Sequence, residues 1–298
     1  MKAAIFALPG NETLAAALAD RLQLEPGAMT LRSFPDGETY LRFDTPVSGR
    51  PVLLFCSLHD PDRKTLGLLF AAATARELGA TAVGLVAPYL GYMRQDHRFR
   101  DGEAITSAIF AQLLSRHIDW LVTSDPHLHR WKSLDEIYAV PSTVVPAAPL
   151  LAAWIRRHVD SPVLIGPDAE SEQWVSAVAH MASAPHVILQ KVRRGDRDVI
   201  VRISDPQLLR NRTPVLVDDI ISTASTMIAA IQQLSVHGLR PPVCLGVHAV
   251  FAGDAHAELL AAGAAQIVTT NTIPHASNGI DINDAIANAV AAFLSEKS

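Results

Sequence analysis

The residues best suited to chemistry lie in the segment VLVDDIISTASTM, Val215 to Met227. Its apolar start reads as a strand that ends in Asp218 and Asp219, after which a hydroxyl-rich loop, Ser222 to Thr226, opens a helix. Successive amides at the start of a helix cradle an anion, and Thr223, Ser225 and Thr226 can add hydroxyl donors to a phosphate. Two carboxylates just ahead of that cradle can accept hydrogen bonds from vicinal sugar hydroxyls. Together they match a sugar phosphate better than either does alone. The plainer alternative is a solvated strand end followed by an ordinary Ser/Thr cap.

Other polar clusters also follow apolar runs. Lys191, Arg193 and Arg194 terminate VILQKVRR and open the loop GDRD. Cations at alternate spacing on a flexible loop can close over a transferring phosphoryl group, or simply guard a strand edge. Arg94, Gln95, Asp96, His97 and Arg98 fall in one loop of APYLGYMRQDHRF, where guanidinium forks suit phosphate oxygens. In TSDPHLH, Asp125, His127 and His129 follow another strand; histidines at alternate positions of an extended segment project the same way, which permits a metal without establishing one. Asp168, in VLIGPDAESEQW, sits between a strand and a helix as an N-cap or a ligand. Phe34, Asp36 and Glu38 belong to SFPDGETYLRF, Ser33 to Phe43, where Asp-Gly between two extended runs marks a β-hairpin.

The elements that must carry these residues are those of an α/β protein. Short Val/Ile/Leu-rich runs alternate with longer Ala/Leu stretches of helical period, the pattern of mainly parallel sheets flanked by helices. Strands are expected at Ala3 to Leu8, Pro51 to Leu58, Val83 to Tyr89, Trp120 to Ser124, Val163 to Gly166, Val187 to Lys191, Val215 to Asp218, Val243 to Val250 and Gln266 to Thr270. PVLLFCSL and PVLVDDII each lead through a helix to a further strand, a faint repeat that suggests two halves of one architecture. The Pro/Ala-rich stretch from Pro141 to Pro149 is the expected boundary, giving domains at 1–143 and 144–298, with a final amphipathic helix at about 284–296 able to dock on either half. A length of 298 residues agrees with two ordinary domains.

Composition narrows the function classes. With 49% hydrophobic and 18% charged residues the chain should fold into a globule. Its net charge of -5 provides no global basic field for nucleic acid, so an anionic ligand must be held locally. No run approaches the roughly 20 apolar residues that cross a bilayer. Cys56 and Cys244 have no paired spacing, which suggests a reducing compartment. A cytoplasmic protein without membrane or nucleic-acid partners is expected.

The Val215 to Met227 segment resembles the phosphoribosyl-diphosphate loop of the type I phosphoribosyltransferase fold. Nearly the whole chain is similar to one branch of that fold, the ribose-phosphate pyrophosphokinases, with the motifs in the same order. The resemblance implies two tandem domains of this fold and an enzyme that moves the β,γ-diphosphoryl group of ATP, with Mg²⁺, to O1 of ribose 5-phosphate, leaving AMP. By the same resemblance Asp218 and Asp219 hold the ribose hydroxyls, and Ser222, Thr223, Ala224, Ser225 and Thr226 surround the 5-phosphate. Lys191 and Arg193 act on the moving charge. Phe34 stacks on adenine, with Asp36 and Glu38 accepting hydrogen bonds at the base, while Arg94, Gln95 and Asp96 complete the ATP site. His127 and Asp168 position the metal and the diphosphate. In the family the hairpin reaches a neighbouring subunit, which implies a homo-oligomer, a dimer or a hexamer, with the nucleotide at a subunit interface.

Some positions depart from the family pattern. His97 stands where Arg is usual, and Asp168 is followed by Ala169, Glu170, Ser171 and Glu172 instead of a Gly pair. Ser222 replaces a third acid, and Ala224 and Ser225 replace glycine-rich positions. Two rivals are a noncatalytic regulatory homologue that binds nucleotide or a partner subunit, and a phosphoribosyltransferase. The presence of Lys191 and Arg193 argues against the first, and the motifs at Phe34 and Arg94 argue against the second.

Overall fold

Two parallel sheets organise the chain, and each belongs to its own compact unit. A computed structural model describes residues 2–166, 171–194, 198–202 and 206–295. Residues up to Val145 form the first unit together with those from Asn283 onward, and Pro146–Ile282 form the second.

The first unit contains β1 (Ala4–Ala7), α1 (Glu12–Leu22), β2 (Glu25–Pro26), β3 (Met29–Ser33), β4 (Thr39–Phe43), β5 (Pro51–Phe55), α2 (Pro61–Glu77), β6 (Ala82–Ala87), α3 (Thr106–Ser115), β7 (Trp120–Ser124) and β8 (Ser142–Val145). Its sheet runs β2-β1-β5-β6-β7-β8, every pair parallel. Every residue of β6 and β7 is buried, as strands covered on both faces must be, which is why they read as unbroken apolar runs. The helix α2 begins with a proline, whose missing N–H costs nothing in the first turn, and buries Leu68, Leu69, Ala71, Ala72 and Ala75. Gly84 pairs with Trp120 on the next strand, and a Cβ there would lie 2.0 Å from the indole, so the close approach requires glycine.

The second unit contains α4 (Ala148–His158), β9 (Pro162–Gly166), α5 (Glu172–Ala182), β10 (His186–Ile188), β11 (Gln190–Arg194), β12 (Asp198–Arg202), α6 (Pro206–Leu209), β13 (Thr213–Ile221), α7 (Ser225–Val236), β14 (Val243–Ala249), α8 (Ala255–Ala261), β15 (Gln266–Thr270) and β16 (Asn278–Ile280). Its parallel sheet runs β10-β9-β13-β14-β15-β16. In both units the second strand lies outside the first and the others follow in chain order. Both also insert an antiparallel ribbon between the second and third sheet strands, β3–β4 in one and β11–β12 in the other. The last helix, α9 (Asn283–Ser295), belongs to the first unit and packs on α1 and β7.

Three readings from the sequence change. Residues 141–149 are not a free connection: β8 occupies Ser142–Val145 and pairs with β7, and α4 starts at Ala148. The expected strand Val187 to Lys191 is two strands, because the chain leaves the sheet at Leu189, whose N–H reaches the carbonyl of Gly166 (3.0 Å), and β11 then pairs with β12. Lys191 and Arg193, expected to act from a flexible loop, therefore lie on a strand that runs through Arg194, in register with β12 at Lys191↔Val201 and Arg193↔Val199. The expected hairpin at Ser33 to Phe43 is present, with Ser33 opposite Thr39.

Candidate active site

Asp218 and Asp219 lie near the carboxyl end of β13, at the point where the strand order of the second sheet reverses. Ligands of open α/β sheets bind at such a point because the neighbouring strands lead their loops to opposite faces. Pairing between β9 and β13 is described only up to Ile165↔Leu216, whereas β14 follows β13 as far as Ala249↔Ile221. Both aspartates are half-buried on this last stretch of β13. The Asp219 N–H donates to Asp218 Oδ1 at 3.0 Å, which fixes one carboxylate against the backbone.

The loop that follows turns at Ala224, the N-cap of α7, whose φ of +56° is left-handed. Alanine has no side-chain acceptor, so the cap residue leaves the first-turn amides of α7 to other partners. Thr223 and Ser225 are exposed with their hydroxyl oxygens 2.9 Å apart, and Ser222 and Thr226 are half-buried. Amides, hydroxyls and two carboxylates thus come within one turn of chain. Behind the loop, Phe251 N–H donates to the Ile221 carbonyl (2.8 Å) and Ala252 N–H to the Ser222 carbonyl (3.1 Å).

In the first unit the remaining candidates follow the carboxyl ends of β6 and β7 or lie on the β3–β4 ribbon. Tyr92 adopts φ +64°, packs its ring 4.6 Å from Phe110 and donates its hydroxyl to Asp62 in the first turn of α2. That carboxylate and partial burial push the phenol up to about 12. Two residues later Arg94 is exposed, and the Gln95 carbonyl accepts from Ser107 N–H (3.3 Å). Asp96 is only 6% exposed and sits 2.9 Å from His97 Nδ1. The acid is thus paired with the next residue of its own loop.

The segment after β7 is not extended as its alternating histidines suggested. Asp125 and His127 have φ of +33° and +55°, and two tight turns link His127 N–H to the Asp125 carbonyl (2.8 Å) and His129 N–H to the His127 carbonyl (3.1 Å). The rings still meet edge to face, with centroids 4.1 Å apart. At the tip of β3–β4, Phe34 N–H donates to the Glu38 carbonyl (2.7 Å) and Asp36 Oδ1 accepts from Glu38 N–H (3.2 Å). Phe34, Asp36 and Glu38 are exposed, and the Arg32 guanidinium lies 4.9 Å from the centre of the Phe34 ring and 4.4 Å from that of Tyr40. Asp168 and the side chains of Lys191 and Arg193 lie outside the described residues.

Sequence reasoning missed a cluster at the end of β5. Lys64 Nζ donates to the Ser57 carbonyl (2.8 Å) and lies 3.1 Å from both ring nitrogens of His59, which places it over the imidazole face. Burial, then the Lys64 charge, push His59 down to about 4 against the opposing effect of Asp60. Burial also lowers Lys64 and drives the Cys56 thiol up to about 12. The available signal was a lysine in the first turn of a helix, where the dipole disfavours a cation. This loop is the topological counterpart of the one after β13, and its N-cap Asp60 is also left-handed, with φ +50°.

Residues 3–117 match the N-terminal domain of ribose phosphate pyrophosphokinase, and residues 134–284 match the phosphoribosyl transferase domain. A ribose-phosphate pyrophosphokinase of Sulfurisphaera tokodaii is 32% identical over 265 residues, 86% of this chain and 89% of the relative. The chain belongs to the ribose-phosphate pyrophosphokinase family. It is an enzyme of that class. A second ribose-phosphate pyrophosphokinase, from Methanothermobacter thermautotrophicus, is 32% identical over 287 residues, 96% of this chain and 99% of that one. The crystal structure of phosphoribosylpyrophosphate synthetase from Mycobacterium smegmatis has the same fold, with a TM-score of 0.89 at 24% identity over 99% of this chain and 100% of that one. In the β13–α7 loop of this ribose-phosphate pyrophosphokinase a left-handed cap is built on a residue that carries a Cβ.

Proposed function

We propose that the enzyme transfers the β,γ-diphosphoryl group of Mg-ATP to O1 of ribose 5-phosphate, giving 5-phosphoribosyl 1-diphosphate and AMP. The observation that carries this reading is the β13–α7 loop, which sets two half-buried carboxylates directly before a left-handed turn and the amides of α7. Asp218 and Asp219 accept from the ribose hydroxyls, while Ser222, Thr223, Ser225, Thr226 and the amides from Ala224 onward donate to the 5-phosphate. O1 attacks the β-phosphorus in line; the bond from that phosphorus to the α,β-bridging oxygen breaks, AMP leaves with the bridging oxygen, and the O1 proton passes to solvent. Lys191 and Arg193, both on β11, stabilise charge on the phosphoryl oxygens as it moves. Phe34 stacks on adenine, and Asp36 and Glu38 accept from the base. Arg94 and Gln95 donate to the ATP phosphates, and Asp96, paired with His97, completes the ATP site.

Magnesium fits the donor chemistry, since oxygen donors dominate the proposed site and the ion prefers oxygen ligands. His127 and Asp168 would hold it through the diphosphate, and its charge offsets that of the transferred group. A homo-oligomer, a dimer or hexamer, follows if the β3–β4 ribbon serves a neighbouring subunit. The cytoplasm suits substrates of this kind, and no helix among the described residues is long and apolar enough to cross a membrane.

The deciding assay incubates purified protein with ribose 5-phosphate, Mg²⁺ and ATP and identifies the nucleotide product. AMP is expected; ADP indicates an ordinary kinase, and absence of turnover a binding protein. Because Lys191 acts mainly as charge develops, Lys191→Ala lowers kcat by on the order of 10²-fold or more with a smaller effect on ATP affinity. A change confined to KM removes that role. Asp219→Asn raises the KM for ribose 5-phosphate through loss of a charged acceptor; unchanged kinetics leave the role to Asp218 alone.

A further inference from the structure

The loop between β14 and α8 carries no residue assigned above, yet it holds the end of β13. Phe251 N–H and Ala252 N–H donate to the carbonyls of Ile221 and Ser222, the last residue of the strand and the first of the proposed phosphate loop. Phe251 does so at φ +34°, a conformation that L side chains rarely adopt, so the surrounding packing must determine it. That packing is on its ring. The Phe251 ring lies 4.6 Å from His275 in a tilted contact and 5.1 Å from His256 edge to face, and the two imidazoles are 5.0 Å apart. His275 is itself fixed, with Ser277 N–H donating to its ring Nδ1 (3.1 Å) and its backbone N–H donating to Asn278 Oδ1 (2.9 Å). The ring also packs against the core of the second unit. Three segments, the β14–α8 loop, α8 and the β15–β16 connection, therefore converge on one aromatic side chain.

We propose that Phe251 is a positioning residue for the sugar-phosphate loop: its ring, packed against His256 and His275, fixes the two backbone donors that set Ile221 and Ser222. Through them it sets the carboxylate pair before these residues and the amides after them. The inference rests on the reading of Asp218 to Thr226 as the ribose 5-phosphate site. Phe251 acts through peptide groups, so its loss should weaken sugar-phosphate binding and leave ATP binding and phosphoryl transfer intact.

The test compares full-length Phe251→Ala, Phe251→Tyr and Asp219→Asn in steady-state kinetics, with thermal unfolding and calorimetric titration of ribose 5-phosphate on the same samples. Phe251→Ala should raise the KM for ribose 5-phosphate by about 10-fold, with kcat and the KM for ATP within about 2-fold of the parent. Phe251→Tyr, which keeps the ring, should restore most of the affinity. If Phe251→Ala does not fold, the double variant His256→Ala/His275→Ala, which keeps Phe251 and removes its supports, must show the same selective rise. A folded Phe251→Ala with unchanged sugar-phosphate KM, or with equal rises for both substrates, overturns the inference. Should Asp219→Asn raise that KM while Phe251→Ala does not, the positioning role alone fails. Should neither Asp219→Asn nor Asp218→Asn change sugar-phosphate binding in the titration, the site reading fails and the role of Phe251 with it.

Discussion

Ala224 occupies a backbone region that costs an L-residue roughly 1–2 kcal/mol and glycine almost nothing. Part of the gain from Ala224→Gly is lost to the greater freedom of glycine in the unfolded chain, so a net stabilisation of about 0.5–1 kcal/mol is expected. Without the Cβ the loop can approach a phosphate more closely, and the KM for ribose 5-phosphate should fall or hold. Urea unfolding and saturation kinetics check both effects; a less stable glycine variant would show that contacts of the Ala224 methyl outweigh its backbone strain. The His59–Lys64 pair gives a pH prediction. His59 is held near 4 in the folded chain against an ordinary 6.5, so the unfolded state binds more protons between those values. Its contribution is fully present above 6.5, declines as the pH falls and is lost by about 4. With solvent screening of this half-exposed ring, the effect should be on the order of 1 kcal/mol. His59→Gln should flatten the acid limb of stability against pH, and an unchanged limb would refute the assignment. The difference between these residues and Asp218 or Asp219 is one of legibility: acids beside a hydroxyl-rich helix start announce themselves in sequence, whereas Lys64 gains its meaning from a carbonyl and a ring that only the folded loop brings near.

At the scale of elements, the β3–β4 and β11–β12 ribbons hold equivalent places in their units, between the second and third strands of each sheet. One bears Phe34, Asp36 and Glu38 and the other Lys191 and Arg193, so the function proposed above would put nucleotide recognition and charge stabilisation on corresponding ribbons. The first ribbon was legible because Pro35-Asp36-Gly37 forces a turn, with Gly37 at φ +95°. The second was not, because β11 continues directly from the apolar run of β10 and no comparable turn signal separates strand from strand. The short strands β2, β8 and β16 escaped notice for another reason: each is four residues or fewer at or near a sheet edge, too short for a period to show. Since among the described residues β11 and β12 pair only with each other, disrupting that pairing should spare the main sheet. Ile200→Pro removes a backbone donor from β12 and should reduce kcat by about 10-fold while the melting temperature stays within a few degrees of the parent. A large fall in melting temperature with kcat preserved among the folded molecules would mean the ribbon serves stability instead of transfer.

For the whole molecule, the chain crosses from the first unit to the second once and then returns, because α9 belongs with α1 and β7. Its anchor is Phe293, stacked on Trp120 with centroids 4.9 Å apart and planes 6° from parallel, while Asp284 pairs with Arg21 of α1. Trp120 is in turn the residue that demands glycine at position 84, so sheet, tryptophan and terminal helix form one packed stack. The sequence showed that α9 is amphipathic; it did not show which half takes it, because an apolar face carries no address until a complementary surface exists. Removing the Phe293 ring should cost about 2–3 kcal/mol from lost burial and stacking, and the loss should be confined to the first unit. Hydrogen exchange on Phe293→Ala should accordingly quicken in β7 and α1 and leave β13 to β15 protected. Uniform loss of protection across both units would instead mean that the two fold and unfold as a single cooperative body, with α9 supporting the second unit as much as the one it belongs to.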